Sequence, residues 1–295
     1  MAPPATLSPG SATVPRYDYT TVGHVTVDVL AGQSPRPGGT AFYSALQAAR
    51  LGLRAQILTR GNPREIEDLL APYRDELDLK VIPAARTTTL QTAGKGHDRL
   101  QRLLAWAEPI AESVAVDTAI LHFAPVVRET PRTWTGEAEF VGLTPQGLVR
   151  EWNTAGEIVL GRLRPNLLPK RCNAWVLSER ERECCAQPLA RATAEGAVVA
   201  VTAGAQPTEL HLPGDGLLRV PVPPVAAPVE DLGAGDVFAA AFFIALREGR
   251  PPAEAALFAG TAAAVRIAGI GPGAIGDRVA IESQLARAAR PAPPR

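Results

Sequence analysis

Short apolar segments alternate along the chain with alanine-rich or charged segments of helical length. The β-branched content of the apolar segments predicts strands, chiefly at Tyr19–Val25, Ala55–Thr59, Thr118–Phe123, Phe140–Leu143, Ala174–Leu177 and Ala197–Thr202. The segments between them predict helices at Thr40–Leu51, Pro63–Leu70 and Pro188–Glu195, with a charged helix start at Ser178. Two more helices are predicted after Gly233–Asp236 to about Glu248 and after Pro251-Pro252 to about Ile267. Strands that alternate with helices predict a doubly wound α/β sheet.

One stretch of the first half carries strand patterns with no helix between them. It contains Leu79–Ile82, Thr87–Thr92 and Leu100–Trp106, of which the last is also compatible with a helix. We expect this stretch to form a small lid or an edge sheet. Two hairpins are predicted as well, Leu148–Trp152 with Glu157–Leu160 and Leu210–Leu212 with Leu217–Val220.

Composition narrows the classes of partner. The 295 residues are 46% hydrophobic, enough to form a sizeable core, and Lys+Arg and Asp+Glu both number 30. The resulting net charge of zero gives no support to a nucleic-acid or anionic-membrane partner. No apolar run of the length of a transmembrane helix is present.

The composition of the two ends and the number of cysteines bear on the cellular compartment of the protein. Residues 1–16 and 286–295 are rich in Pro and Ala and predict disordered tails, and the first of them lacks the pattern of a signal peptide. The three cysteines, Cys172, Cys184 and Cys185, do not describe a disulfide framework or a zinc motif. We therefore expect a cytoplasmic protein.

The strongest chemical signal is the segment Glu230–Phe243, EDLGAGDVFAAAFF. Its Gly-Ala-Gly turn enters a helix, where free amide N–H groups and the helix dipole make an anion site. Asp236 falls in the first turn, where a carboxylate can accept a hydroxyl proton while the amides stabilise phosphoryl charge. The spacing alone is equally compatible with a plain glycine-rich joint in which Asp236 is only a first-turn acid.

This GAGD turn with its alanine-rich helix resembles the second signature of the PfkB, or ribokinase-like, carbohydrate kinases. Four further segments resemble that family in the same order, namely VGHVTVDVL, PGGTAFYSALQAARLG, WVLSERE and AVVAVTAGAQP, so that the resemblance spans about Tyr19 to Gly273. It implies a three-layer, doubly wound ribokinase-like sheet with a small β lid. The domain would cover residues 17–285, with lid strands at about 30–37 and 79–106.

The resemblance also implies roles for individual residues. Asp236 would be the catalytic base, and Gly233, Ala234 and Gly235 would form the anion hole for the transferred phosphate. Asp28, Gly38 and Gly39 would bind hydroxyls of the acceptor, Thr202 and Gly204 would lie near ATP, and Glu181 would help to hold Mg²⁺. Taken alone, Asp28 and Glu181 are typical of solvated acids. Arg99, beside the lid, is a further candidate for the acceptor pocket, although most arginines are simply exposed.

The chain departs from the family pattern at several positions. The usual Asp-Thr before GAGD is Glu230-Asp231, and a large residue, Leu232, precedes Gly233. These changes put a bound monovalent cation in doubt. Tyr43 replaces an Asn that often follows the Gly-Gly pair, which argues against a ribokinase-type pentose pocket, and Ser178 replaces the Asn of the N-x-x-E pattern.

The leading hypothesis is therefore an ATP-dependent kinase that phosphorylates a hydroxyl of a small sugar, a polyol or a nucleoside. A faint similarity of the segment around Gln146, Gly147 and Arg150 to inositol-kinase-like members adds myo-inositol to the polyols. The alternative is a catalytically weakened ligand- or nucleotide-binding protein on the same fold. A Rossmann dehydrogenase is excluded because no GxGxxG follows the first strand. The resemblance also allows a homodimer formed through the lid.

Overall fold

The computed structural model describes residues 16–94 and 99–288. Its strands are β1 (Tyr17–Val22), β2 (Thr26–Leu30), β3 (Arg36–Gly38), β4 (Ala55–Gly61), β5 (Leu77–Pro83), β6 (Thr89–Ala93), β7 (Leu100–Ala105), β8 (Ser113–Phe123), β9 (Thr133–Leu143), β10 (Arg150–Trp152), β11 (Ile158–Leu160), β12 (Ala174–Ser178), β13 (Val198–Ala203), β14 (Gln206–Leu212) and β15 (Gly216–Val220). Its α-helices are α1 (Thr40–Arg50), α2 (Pro63–Leu70), α3 (Gln146–Val149), α4 (Glu179–Ala194), α5 (Ala234–Arg247), α6 (Pro252–Ile267) and α7 (Arg278–Ala288).

A nine-stranded sheet forms the centre of the described part, in the order β15-β14-β13-β12-β9-β8-β1-β4-β5. The pairs from β5 across to β13 are parallel, whereas β14 and β15 add an antiparallel hairpin at one edge. Strand β12, AWVLS, has the continuous apolar sequence of a parallel strand that is covered on both faces. The predicted doubly wound α/β sheet is confirmed.

Each face of the sheet carries its own apolar core. The first core packs α1, α2, α5, α6 and α7 on one face, with Phe42, Phe242 and Phe258 fully buried. The second core lies on the other face under α4, with Cys185 and Leu189 among its buried residues. The molecule therefore has the three layers, helix, sheet and helix, that strand–helix alternation predicts.

Helix α4 begins directly after Ser178, where a charged helix start was predicted, and Pro188 lies inside it rather than at the start of a separate helix. A proline has no N–H to donate to the carbonyl four residues earlier, which here is that of Cys184. That carbonyl instead accepts a hydrogen bond of 2.9 Å from the N–H of Leu163 in a neighbouring loop. The tertiary contact thus satisfies the group that the proline leaves unpaired.

The lid is a separate four-stranded sheet in the order β3-β2-β6-β7. The predicted lid ranges, 30–37 and 79–106, were wrong at their starts. Strand β2 begins at Thr26, because the first central strand ends at Val22 instead of Val25. Strand β5 pairs in parallel with β4 and belongs to the central sheet. A local strand pattern does not say which sheet the strand joins.

The ends of the chain also differ from the prediction. Helix α7 continues to Ala288, and Leu285 packs against the first core, so residues 286–288 are helical rather than part of a tail. Residues 1–15 and 289–295, the rest of the two predicted tails, lie outside the described residues. In the part of the chain that the structure describes, no helix combines the length and apolar character needed to cross a bilayer.

Candidate active site

The glycine-rich turn before α5 has the geometry of an anion site. Gly233 caps the helix in the left-handed region, at φ 81°, and a Cβ atom there would lie 2.4 Å from the ring of Tyr43. A Cβ atom at Gly235, by contrast, would meet nothing within 4 Å. The amides of the first helical turn have no carbonyl of a preceding turn to bond. They lie beside open space, where an anion can approach the backbone.

Asp236 lies in that first turn, between the N-termini of two helices. The Ser44 hydroxyl on α1 donates 2.9 Å to the main-chain carbonyl of Asp236, which fixes α1 against α5. Burial raises the pKa of the Asp236 carboxyl to about 6. A hydrogen bond from Thr40 and the charge of Arg150 oppose that rise, while the charges of Glu181 and Asp28 add to it. A carboxyl with a pKa near 6 is well suited to accept a proton at neutral pH.

Arg150 brings a buried positive charge to the same place. The side chain is only 7% exposed, and its Nη1 and Nη2 donate to the carbonyl of Val126 at 3.0 Å and to Oε1 of Gln101 at 2.6 Å. Gln101 belongs to lid strand β7, so the lid helps to orient this guanidinium. Two of its five N–H groups are used in these bonds. The sequence suggested Arg150 only through a faint similarity and assigned it no role.

The three residues predicted for the acceptor lie together at the join of the lid and α1. Asp28 is on lid strand β2, buried, and accepts a hydrogen bond of 2.7 Å from the Thr26 hydroxyl. Burial raises the pKa of its carboxyl, against the opposing effects of that hydrogen bond and of nearby arginines. A Cβ atom at Gly38 would lie 2.1 Å from the Asp28 carboxylate, and one at Gly39 would lie 2.4 Å from the carbonyl of His24. Both glycines are therefore required by close packing.

The residues predicted for metal and nucleotide line one continuous cavity of about 940 Å³. Its walls include Glu181, Thr202, Gly204, Ala234 and Gly235. Arg150 and Arg99 also line it, whereas the other predicted site residues, Asp28, Gly38, Gly39, Gly233 and Asp236, do not. The residues predicted to bind the nucleotide therefore line the same cavity as Ala234 and Gly235 of the glycine-rich turn Gly233–Gly235, called the anion turn below. The residues predicted to bind the acceptor lie next to this cavity, under the lid.

The same cavity also has an apolar compartment. Its walls come from the segment before α5, from α5 and from α6, and they comprise Val222, Pro223, Pro224, Val225, Phe238, Gly260, Ala263, Ala264 and Ile267. A cavity lined by apolar residues together with a small number of polar groups is typical of cofactor pockets.

Glu181 is the one predicted metal residue. Its side chain is buried, and its Oε2 accepts a hydrogen bond of 2.8 Å from the N–H of Ser178 at the start of α4. Among the described residues there is no group of three or more His, Cys, Asp or Glu side chains that could hold a metal ion. Mg²⁺ is commonly held by one or two carboxylates with water and substrate phosphates. One buried carboxylate on the cavity wall fits that mode of binding.

The two acids that replace the usual Asp-Thr pair both bind arginines. Glu230 accepts from Arg36 of the lid and from Arg266 of α6. Asp231 pairs with Arg99 at 2.5 Å. Arg99 is therefore engaged with the anion turn, although it was predicted to reach the acceptor. A charged residue inside the apolar helix sequence TAAAVRIAG is the signal that could have drawn attention to Arg266.

Comparison with known proteins adds a family to this geometry. A model of the pfkB family carbohydrate kinases matches residues 174–276, the stretch that holds the WVLSERE, AVVAVT and GAGD segments. Solved structures match nearly the whole chain at low sequence identity. The fold is that of the ribokinase family. The resemblance read from the motifs is thereby confirmed for the fold and, over residues 174–276, by the match to the family model.

Three ribokinase-fold structures illustrate the similarity. A pyrophosphate-dependent kinase in the ribokinase family is 20% identical with a TM-score of 0.70, covering 86% of this chain and 96% of its own. A pyrophosphate-dependent myo-inositol-1 kinase is 18% identical with a TM-score of 0.71, covering 91% and 99%. Ribokinase of Arabidopsis thaliana, complexed with ribose and ATP, is 18% identical with a TM-score of 0.64, covering 91% and 98%. Curated protein sequences give no match.

Proposed function

We propose that the protein is a kinase that transfers a phosphoryl group to a hydroxyl of a small sugar, polyol or nucleoside. The observation that carries this proposal is the placement of the Asp236 carboxyl. It lies in the first turn of α5, next to amides that face an open cavity, and its pKa is raised to about 6. A base next to an anion site is what phosphoryl transfer to an alcohol needs.

In the proposed reaction the acceptor hydroxyl attacks the terminal phosphorus of the donor in line. A new O–P bond forms as the bond to the leaving phosphate oxygen breaks, and the hydroxyl proton passes to the Asp236 carboxylate. The amides of Gly235 and Asp236 stabilise the negative charge that the transferred group carries. Arg150 lines the same cavity and adds a positive charge. The orientation of its guanidinium is fixed by hydrogen bonds to Gln101 and Val126.

We further propose ATP as the donor. The apolar compartment beside Ala263 and Pro223 suits the flat base of a nucleotide, with Thr202 and Gly204 close to its phosphates. A pyrophosphate donor would leave this compartment unused. Glu181 would hold Mg²⁺ through water, and the ion would supply charge neutralisation on the donor phosphates.

The acceptor is proposed to bind under the lid, near Asp28, Gly38 and Gly39. A buried carboxylate held by Thr26 can accept hydrogen bonds from adjacent hydroxyls. Tyr43 narrows the proposed acceptor site on the side of Gly233, because its ring packs on that glycine. Its hydroxyl is buried and has no hydrogen-bond partner among the described residues. Myo-inositol is included because one structural neighbour is a myo-inositol-1 kinase.

The experiment that tests the proposal is a matrix of donors and acceptors. Mg-ATP and Mg-pyrophosphate are each combined with polyols that include myo-inositol, with sugars and with nucleosides, and phosphorylated products are detected by mass spectrometry. We expect a product with ATP. Ala263→Phe, which fills the apolar compartment, should raise the KM for ATP without changing a reaction driven by pyrophosphate. ATP binding without any product would favour the alternative, a ligand-binding protein on this fold.

Two further expectations concern the setting of the protein. A homodimer through the lid is supported by exposed apolar side chains on β7, with Leu100 74% and Leu104 47% exposed. Light scattering on the purified chain measures its mass, and Leu104→Lys should dissociate a dimer formed there. A cytoplasmic location is supported by the three free cysteines.

A further inference from the structure

Arg266 is the largest side chain that is fully buried in the described part of the protein. From α6 its guanidinium donates 2.7 Å to Oε1 of Glu230, 2.7 Å to the carbonyl of Leu232 and 3.2 Å to the carbonyl of Gly269. It also lies 5.7 Å from the ring centre of Tyr43. Leu232 directly precedes Gly233, so this buried cation is bonded to the turn that forms the anion site.

Glu230 connects this cation to the lid. Its two carboxylate oxygens accept from Nη1 and Nη2 of Arg36 at 2.9 and 2.8 Å, in the bidentate geometry that arginine favours. Burial alone would raise the pKa of Glu230, but the hydrogen bonds and charges of Arg36 and Arg266 outweigh it and lower that pKa. Glu230 is therefore held ionised between two arginines.

Arg36 sits at the acceptor end of the same connection. It is on lid strand β3, directly opposite Asp28 in the pairing of β2 with β3, and two residues before Gly38. The lid strands that carry the proposed acceptor residues are thus bonded, through one carboxylate, to the cation beneath the anion turn. The ion pair of Arg99 with Asp231 is a second contact between the lid side and this turn.

We propose that Arg266 is a positioning residue that acts as a built-in cation beneath the anion turn, and that Arg36 and Glu230 transmit the position of the lid to that turn. This inference rests on the proposed kinase function. The Glu230 carboxylate and the carbonyls of Leu232 and Gly269 are hard oxygen ligands of the kind that metal cations take. In this chain they converge on a guanidinium instead.

The test compares wild type with Arg266→Ala in buffers that differ only in their cation. Potassium, guanidinium and tetramethylammonium chlorides are used at equal, low ionic strength, and kcat and both KM values are measured together with thermal unfolding. Arg278→Met is the matched control, because Arg278 also binds a glutamate and a carbonyl but at the far end of α5, through Glu248 and Leu51.

We expect the wild-type kcat to change less than about twofold among the three cations. Arg266→Ala should lose at least about tenfold in kcat in tetramethylammonium, and potassium or guanidinium should restore at least about fivefold, because the vacated oxygens accept a small cation. The control variant should keep the wild-type kcat. A wild type that depends on potassium, or an Arg266→Ala variant with the kcat of the control, would overturn the inference.

Two additions keep the test decisive. If Arg266→Ala is unfolded at the assay temperature, Arg36→Gln decides: it should raise the KM of the acceptor and lower kcat with Arg266 in place, and unchanged values would overturn the link. If the wild type transfers no phosphate at all, the proposed function fails. Calorimetric binding of pyrophosphate then tests the turn alone, where weaker binding by Arg266→Ala supports the inference and equal or absent binding overturns it.

Discussion

Gly233 and Tyr43 are packed so closely that the space of a Cβ atom on the glycine is already taken by the tyrosine ring, 2.4 Å away. The glycine is in the left-handed region, and the ring lies on α1, which also bears Ser44 and Thr40. The anion turn is thus held from the α1 side by Tyr43. The tyrosine that departs from the family pattern supports the family's most characteristic turn.

Two alanine substitutions separate the packing of this turn from its chemistry. Gly233→Ala forces a side chain into the ring of Tyr43 at a positive φ, so we expect about 2–4 kcal/mol of destabilisation. Gly235→Ala places its methyl group in open space, so stability should stay within about 0.5–1 kcal/mol of wild type while donor binding weakens. Chemical denaturation and donor titration measure the two effects. Equal loss of stability in both variants would contradict the description of the turn.

The pKa of Asp236 predicts the lower limb of the activity profile. The base must be ionised to accept a proton, and its pKa is raised to about 6 by burial. We therefore expect kcat/KM to rise tenfold per pH unit below about 6 and to level off above it. The measurement is a pH series at constant ionic strength. A profile that is flat down to pH 4.5 would assign the proton to another group.

The same shift predicts that Asp236→Asn stabilises the fold. A carboxyl whose pKa is higher in the folded state than in the unfolded state favours folding when protonated, so its ionisation costs stability above about pH 6. Removing it should gain about 1–2 kcal/mol at pH 8, allowing for partial solvent access. The gain should shrink as the pH falls from 6 towards 4, because the folded carboxyl becomes protonated over this range and no longer carries the buried charge. Thermal unfolding at pH 4 and 8 measures it, and a variant less stable than wild type at pH 8 contradicts the cause given for the shift.

Arg150 is expected to act on both the phosphoryl charge and the base. Arg150→Met should lower kcat by about 10²-fold, the usual cost of losing one charge-stabilising donor. It should also shift the acid limb of the pH profile to higher pH, because the arginine charge lowers the pKa of Asp236 and its removal raises that pKa. Arg128→Met is the control, since Arg128 is half-buried nearby and pairs with Glu151 instead. A loss of kcat with no shift in the pH of the acid limb would show that the charge of Arg150 does not act on Asp236.

The local patterns were sufficient for the layers of the fold and for the anion turn. Strand and helix periodicity depends on nearest neighbours, and the GAGD turn carries its own backbone requirement, so both are visible in the sequence. The assignment of Leu77–Pro83 to the central sheet could not be predicted from the sequence, because sheet membership depends on which other strand the segment pairs with. Helix α4 was cut at Pro188 for the same reason, since the Leu163 amide that tolerates the proline comes from another loop.

The charged network around the turn was missed for a related reason. Glu230 was noticed only as a departure from a motif, and its partners lie 194 and 36 residues away. Arg99 was assigned to the acceptor because it neighbours the lid, and only the folded chain shows its pairing with Asp231. Long-range ion pairs between arginines and acids have no local signature, so a sequence rich in both types does not reveal which of them meet.

The central claim is that Asp236 is the base of a phosphoryl-transfer site, and one comparison tests it most directly. With the acceptor found in the matrix of donors and acceptors, kcat is measured at pH 8 for wild type, Asp236→Asn and Asp231→Asn, the last being an equal change of charge just before the turn. We predict a loss of at least about 10³-fold for Asp236→Asn with the donor still bound, and less than about tenfold for Asp231→Asn. Near-normal turnover by Asp236→Asn, or the same loss in both variants, would contradict the claim.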